Sequence, residues 1–281
     1  MLDRSASDAQ VFDADLAEIR ALATVVPGAL PVALNAVKFA ASIRPRKFVI
    51  EGGDDTPVTM PRTACQVVYP DGTVMIDAGM DKATHESFGE GEPYDSDAFA
   101  QVMRALRAAR LIVLTHYHAD HVGGIVTAPD SDELARKTIA TADTLALMMN
   151  EPHRPHLKLA ERTARQFIRI SYDRYYPVAP GMVLIKAPGH SPDMQMVYVR
   201  LQCGREFLHS IDAAWNEANI RHVKGKAAPW VKEDVAAVLA QLRWLNRLMN
   251  EEKQIDILVT HDGDLLDRMI AKGAVGATLK I

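Results

Sequence analysis

The stretch "LIVLTHYHADHVGG", residues 111–124, constrains this chain more than any other. Directly behind a short apolar run it sets four potential metal ligands within six residues: His116, His118, Asp120 and His121. Leu111 to Leu114 suits a buried strand, and Gly123 with Gly124 permits a close backbone approach just after the cluster. A core strand that ends in a reactive loop is where α/β proteins gather their sites.

Strands and helices alternate along the rest of the chain. "ACQVVYP", then Asp71 and Gly72, then "TVMIDAG" predicts a hairpin ending at Asp77. "SDAFAQVMRALRAAR" predicts a helix with Ser96 or Asp97 as N-cap. "GMVLIKAPGH" reads as a strand and turn, and "MQMVYVRL" and "REFLHSIDA" as strands around a turn at Cys203 and Gly204. In "EDVAAVLAQLRWLNRLMNEEK", Val235, Val238, Leu239, Leu242, Leu245 and Met249 recur at helical spacing and predict a core-facing stripe. "IDILVTHDGD" is a further apolar strand ending in a histidine.

The two halves repeat one theme. "MIDAGM" leads through a helix to "LIVLTHYHADH", and "SIDAAW" leads through a helix to "DILVTHDGD". Each half sets an aspartate at one strand end and a histidine at a later one. Two β-rich halves with covering helices make an α/β, four-layer αββα sandwich whose strand-end groups converge in one cleft.

At 281 residues, 48% hydrophobic and 24% charged, the chain has ample length for such a core. A net charge of −4 implies no general attraction to nucleic acid or to anionic membrane. Cys65 and Cys203 form no CxxC pair, so neither a disulfide framework nor a thiolate zinc site is suggested, and a cytoplasmic location is expected. Residues 21–43 are apolar, yet Asp3, Asp8, Asp13, Asp15 and Glu18 against Arg4 and Arg20 give the wrong sign for an export signal. Pro27, Gly28 and Pro31 interrupt the run, so no transmembrane segment is expected. The expected organisation is an N-terminal apolar arm, 1–64, on or near the site, followed by a hydrolase domain, 65–281. Nothing fixes the oligomeric state, and a homo-oligomer is compatible with the sequence.

Three more strand ends enlarge the ligand set: His190 in "APGHSPDM", Asp212 in "FLHSIDA" and His261 in "ILVTH". Five imidazoles and two carboxylates without a thiolate suit zinc or another divalent first-row ion. Seven ligands exceed one tetrahedral centre, whereas two ions sharing a carboxylate would use them all.

In this ordered set the chain resembles the metallo-β-lactamase superfamily, whose HxHxDH signature corresponds to His116, His118, Asp120 and His121, over roughly Cys65 to His261. The resemblance implies two Zn2+ per chain, one on His116, His118 and His190, the other on Asp120, His121 and His261, with Asp212 bridging. Asp77 matches the superfamily's "DxG" strand end and is expected to orient a ligand rather than bind metal. Two such ions would yield a bridging hydroxide and polarise the substrate oxygen. Asp120 would also take part in catalysis, accepting a hydrogen bond from that hydroxide and moving a proton to the leaving group. His85, His153, His156, His209 and His222 are expected to be surface or ordinary polar residues, with His222, shortly after the bridging position, the one to watch near the pocket.

Substrate class is less constrained. By resemblance, Asp212 argues against a β-lactamase, His118 against the diiron oxygen-reducing branch, and the lack of a basic glutathione segment against glyoxalase II. Quorum-quenching lactonases are the nearest functional comparison through "IDAAWNEANI", although their tyrosine three residues after the aspartate is Trp215 here, an indole that donates a hydrogen bond but cannot exchange a proton. Trp215 is equally suited to packing the pocket wall. The expected activity is dinuclear zinc-dependent hydrolysis of an ester or lactone in a small, neutral, partly apolar substrate. The alternatives are a phosphodiesterase or thioesterase of the same superfamily and a metal-retaining binding protein.

Overall fold

The apolar runs pair into two sheets in the computed structural model of the chain, which describes residues 11–281. Asp3, Arg4 and Asp8 lie outside the described residues. The first sheet runs in sequence order: β1 (Ala33–Pro45), β2 (Pro57–Tyr69), β3 (Gly72–Ile76), β4 (Leu111–Val113), β5 (Thr138–Thr141) and β6 (Ile168–Ile170). The second contains β7 (Tyr175–Ala179), β8 (Met182–Lys186), β9 (Gln195–Arg200), β10 (Glu206–His209) and β11 (Ile255–Leu258), in the order β11-β10-β9-β8-β7. In each sheet a parallel pair follows a hairpin: β3 lies beside β4, and β10 beside β11. Parallel neighbours end on the same side, which is how aspartate-bearing and histidine-bearing strand ends meet.

Between the sheets, Leu34, Val67, Val74 and Val113 pack with Met182, Val197, Tyr198 and Phe207. The helix Val235–Glu251 adds Val238, Leu242 and Leu245 to that core, whereas Val235 is 56% exposed, in the first turn where the predicted stripe has not yet reached the sheet. On the far side of the first sheet, Met75, Ile112 and Leu114 meet Val102 and Leu106 of the helix Ser96–Ala108 and Ile125 of the helix Ala119–Val126. These are the expected αββα layers. Among the described residues no helix is long and apolar enough to cross a membrane.

Two local readings change. Asp95, rather than Ser96 or Asp97, caps the helix Ser96–Ala108, because its backbone is still extended and its carboxylate accepts from Ala98 N at 2.9 Å. The stretch 21–43 is the end of the helix Leu16–Leu22, a connection, and then β1, which pairs with β2 from Ala33↔Val68 to Pro45↔Pro57. The boundary between residues 64 and 65 thus falls inside β2. Asn35 and Ser42 are buried polar residues of β1, satisfied by Gln66 and Glu92, and they hide the strand pattern in the sequence.

The Gly123–Gly124 pair has a steric cause. A Cβ on Gly124 would lie 2.1 Å from the Ala78 carbonyl oxygen, and Gly124 N donates to Gly79 O at 2.8 Å. Only glycine lets the helix behind the histidines press onto the segment that follows β3.

Candidate metal centre

Each of the seven expected ligands leaves a strand end on one rim. His116 follows β4, His118 precedes the helix Ala119–Val126, and Asp120 and His121 occupy that helix's first turn. His190 follows β8, Asp212 sits in the single turn Ile211–Ala213 after β10, and His261 follows β11. Two left-handed non-glycine residues mark this rim, Asp77 at φ 62° and Ile211 at φ 50°. For β-branched Ile211 that conformation is strained, and such strain persists where packing over-determines it.

The ligating atoms form three groups, each within 4.8 Å: His116, His118 and His190; His116, His121 and Asp212; Asp120, His121 and His261. Nε2 of His261 lies 3.2 Å from Asp212 Oδ2 and 3.6 Å from Asp120 Oδ2, and Nε2 of His121 lies 3.6 Å from Asp212 Oδ1. Two donors each about 2.0–2.1 Å from a tetrahedral ion sit about 3.3 Å apart, so these separations suit ions between them. His116 Nε2, His121 Nε2 and Asp212 Oδ1 are buried without a hydrogen-bond partner, an arrangement that is costly unless something else binds those lone pairs. The donor set therefore fits divalent zinc-like ions.

Neighbouring groups fix the rings. His121 Nδ1 donates to Asp77 Oδ2 at 2.7 Å, and Asp77 also accepts from Thr115 N and Oγ1, each at 2.8 Å. His261 Nδ1 donates to Pro61 O at 2.8 Å. His190 Nδ1 faces Glu233 Oε2 at 3.3 Å, and Glu233 is paired at 2.9 Å with Lys226, whose buried ammonium also donates to Asp212 O at 2.6 Å. These contacts leave the Nε2 lone pairs of His121, His190 and His261 pointing inward. Nδ1 of His118 lies 3.0 Å from His190 Nε2.

Electrostatics follow from burial and pairing. Burial alone would raise the Asp120 carboxyl, but Arg62, His121 and His261 outweigh it and hold it well below the usual range. Arg62 reaches Asp120 Oδ2 at 2.7 Å. Burial, followed by the neighbouring imidazoles, pushes His116 and His118 far down, which keeps them neutral and able to ligate.

Above the ligands opens a cavity of about 670 Å³. Trp215 forms part of its wall, 8% exposed, and its indole Nε1 donates to Asp212 Oδ2 at 3.3 Å. Phe48 and Trp230 meet edge to face at 5.1 Å nearer the mouth. His222 ends the helix Glu217–His222 exposed and does not line the cavity.

The histidines outside the ligand set differ in placement. His85 and His209 are buried, and His153 stacks on His118 with ring centroids 4.3 Å apart at the cavity wall, while burial lowers it to about 4. His156 is exposed, its Nε2 2.9 Å from Thr84 Oγ1. Four cationic side chains, Arg44, Arg62, Arg154 and Lys232, also line the cavity. They come from distant segments, so no charge run announces them. Arg62 alone left a signal, as the one charged residue inside "MPRTACQVV".

The family profile described as the metallo-beta-lactamase superfamily matches residues 63–221, more than half of the chain. The N-acyl homoserine lactonase AiiA of Bacillus thuringiensis subsp. kurstaki is 28% identical over 152 residues, 54% of this chain and 55% of that protein. The N-acyl homoserine lactonase AttM of Rhizobium radiobacter is 27% identical over 164 residues, 55% of this chain and 59% of that protein. The chain thus spans about half the length of these relatives. A solved N-acyl homoserine lactone hydrolase, with N-hexanoyl-L-homoserine bound at its catalytic metal center, superposes with a TM-score of 0.67 at 18% identity, covering 85% of this chain and 96% of that one. AidC, a dizinc quorum-quenching lactonase, gives a TM-score of 0.57 at 13% identity, covering 82% and 87%. At these identities the likeness is one of fold.

Proposed function

The chain belongs to the metallo-β-lactamase superfamily, and from that premise we propose that it is a metal-dependent hydrolase of ester or lactone bonds in a small molecule. The observation that carries the reading is the convergence of seven imidazole and carboxylate ligands beneath one partly aromatic cavity. The N-acyl homoserine lactonases among its relatives support the choice of a carbonyl substrate.

Two zinc ions, one on His116, His118 and His190, the other on Asp120, His121 and His261, with Asp212 between them, would supply a water acidified to near neutrality and a Lewis acid for the carbonyl oxygen. The chain's own residues do the rest. Asp120 stays ionised beside Arg62 and is the group that takes and returns a proton. Trp215 orients Asp212 through its indole N–H and closes the wall against water. Phe48 and Trp230 offer an apolar face to an acyl chain.

Phosphodiester hydrolysis is the second reading, favoured by the four cationic side chains on the cavity wall. A parallel screen of aryl esters, acyl lactones and bis-aryl phosphodiesters with zinc-replete protein decides between them. Higher kcat/KM for the carbonyl substrates, rising with acyl length, is expected. A preference of more than about tenfold for phosphodiesters would reverse the assignment.

A further inference from the structure

Of the three arginines on the cavity wall, Arg154 is the one without a carboxylate partner among the described residues. Its guanidinium lies over the Phe88 ring, 3.8 Å from the centroid, so one face is covered and its position is fixed. Nε donates to Ser87 Oγ at 3.3 Å and Nη1 to His153 O at 3.1 Å. A guanidinium carries five N–H donors, so three remain, both on Nη2 among them. Arg44 is paired with Glu92 and Arg62 with Asp120, whereas Arg154 makes no ion pair with a carboxylate among the described residues.

The surroundings reinforce that imbalance. Arg62 lies over the same Phe88 ring, 5.7 Å from its centroid, so two guanidiniums flank one phenyl group at the wall. His153, whose carbonyl holds Arg154, stacks on the metal-ligand candidate His118, which ties the free donors to the reacting end of the cavity. A half-buried, preorganised fork with no carboxylate at ion-pair distance matches the planar, two-oxygen geometry of an anion.

We propose that Arg154 is a specificity residue that seats an anionic group, a carboxylate or a phosphate monoester, carried by the substrate away from the scissile ester or lactone bond. This rests on the hydrolase reading and narrows its substrate class from neutral acyl compounds to acidic ones. Phe48 and Trp230 remain available to the apolar portion.

The test uses zinc-replete full-length protein and matched 4-nitrophenyl esters of one chain length, ending in a carboxylate, a phosphate monoester or a neutral methyl ester. The wild type is expected to favour one of the charged esters over the neutral one by at least about tenfold in kcat/KM, and less as salt rises from about 0.05 to 0.5 M. Whichever anion gives the larger ratio identifies the group. Arg154→Ala should bring the ratio to within about twofold of unity, and Arg154→Lys, which keeps the charge but not the fork, should leave it between the two. A wild-type ratio near one, or a ratio that Arg154→Ala leaves unchanged, overturns the proposal. In parallel, calorimetry compares the corresponding dicarboxylate and phospho-carboxylate with the half-methyl ester. If no ester turns over, the hydrolase reading fails, while an affinity gap between charged and neutral ligands that Arg154→Ala abolishes still upholds the anion seat, and its absence removes it.

Discussion

Asp77, whose own backbone is left-handed at φ 62°, accepts a hydrogen bond at Oδ2 from His121 Nδ1 at 2.7 Å. The carboxylate also takes two bonds from Thr115, so one side chain ties the end of β3 to the segment that carries the histidines. Asparagine tolerates the left-handed region, so Asp77→Asn tests the hydrogen bond without disturbing the backbone. Loss of the charged acceptor should weaken zinc affinity about 10- to 100-fold, read by competition with a chromogenic chelator, while the circular dichroism spectrum stays unchanged. Equal affinity would reduce Asp77 to a strand connector.

Seven ligands divide equally between two ions only if one is shared, and Asp212 has oxygens facing both His121 and His261. Elemental analysis of protein purified without chelator should find about two metals per chain, mostly zinc. Asp212→Ala should lower that content and abolish most turnover. One metal per chain in the wild type, with content and activity unaffected by the substitution, would contradict a dinuclear site.

Asp120 Oδ2 accepts from Arg62 at 2.7 Å and lies 3.7 Å and 3.6 Å from the Nε2 atoms of His121 and His261. Asp120→Asn should lower kcat by at least about 100-fold, the usual scale for losing a positioned acid or base, with a smaller change in KM. A near-normal kcat with two metals bound removes it from proton transfer.

Asp193, a buried carboxyl outside the ligand set, supplies a pH test. Burial, opposed by the Ser191 hydroxyl, pushes its carboxyl from 3.8 up to about 6. A raised carboxyl binds its proton more tightly in the folded state, so its contribution to stability is full below about pH 3.8 and is lost as pH rises through about 6. The change amounts to about 3 kcal/mol. Relative to the wild type, Asp193→Asn should therefore gain several degrees in Tm between about pH 4 and pH 8. A Tm difference that stays constant across that range would show that Asp193 does not titrate this way.

The ligand spacing was legible because chemistry and topology coincide there. His116, His118, Asp120 and His121 lie on one strand-to-helix turn, and His190, Asp212 and His261 each close an apolar strand. The two-sheet fold was readable from the same strand ends. Glu233, Lys226, His153 and Arg154 left no pattern because each reaches the site alone, from a loop whose path depends on tertiary packing. β1 escaped notice for another reason. Its buried Asn35 and Ser42 break the apolar alternation and find partners only once Gln66 and Glu92 are in place. Deleting residues 1–43 would accordingly remove most of a sheet strand, so side-chain substitutions at Trp230 or Phe48 are the cleaner probes of the cavity mouth.

Each of the three ligand groups draws members from the loops of both sheets: His190 joins His116 and His118, Asp212 joins His116 and His121, and His261 joins Asp120 and His121. Neither half of the molecule owns a site. An ion held there works as a clasp across the seam between the sheets, and its affinity measures how well the halves are aligned. A remote packing change that tilts one sheet against the other is then felt first as a loosened clasp, before any ligand has been altered.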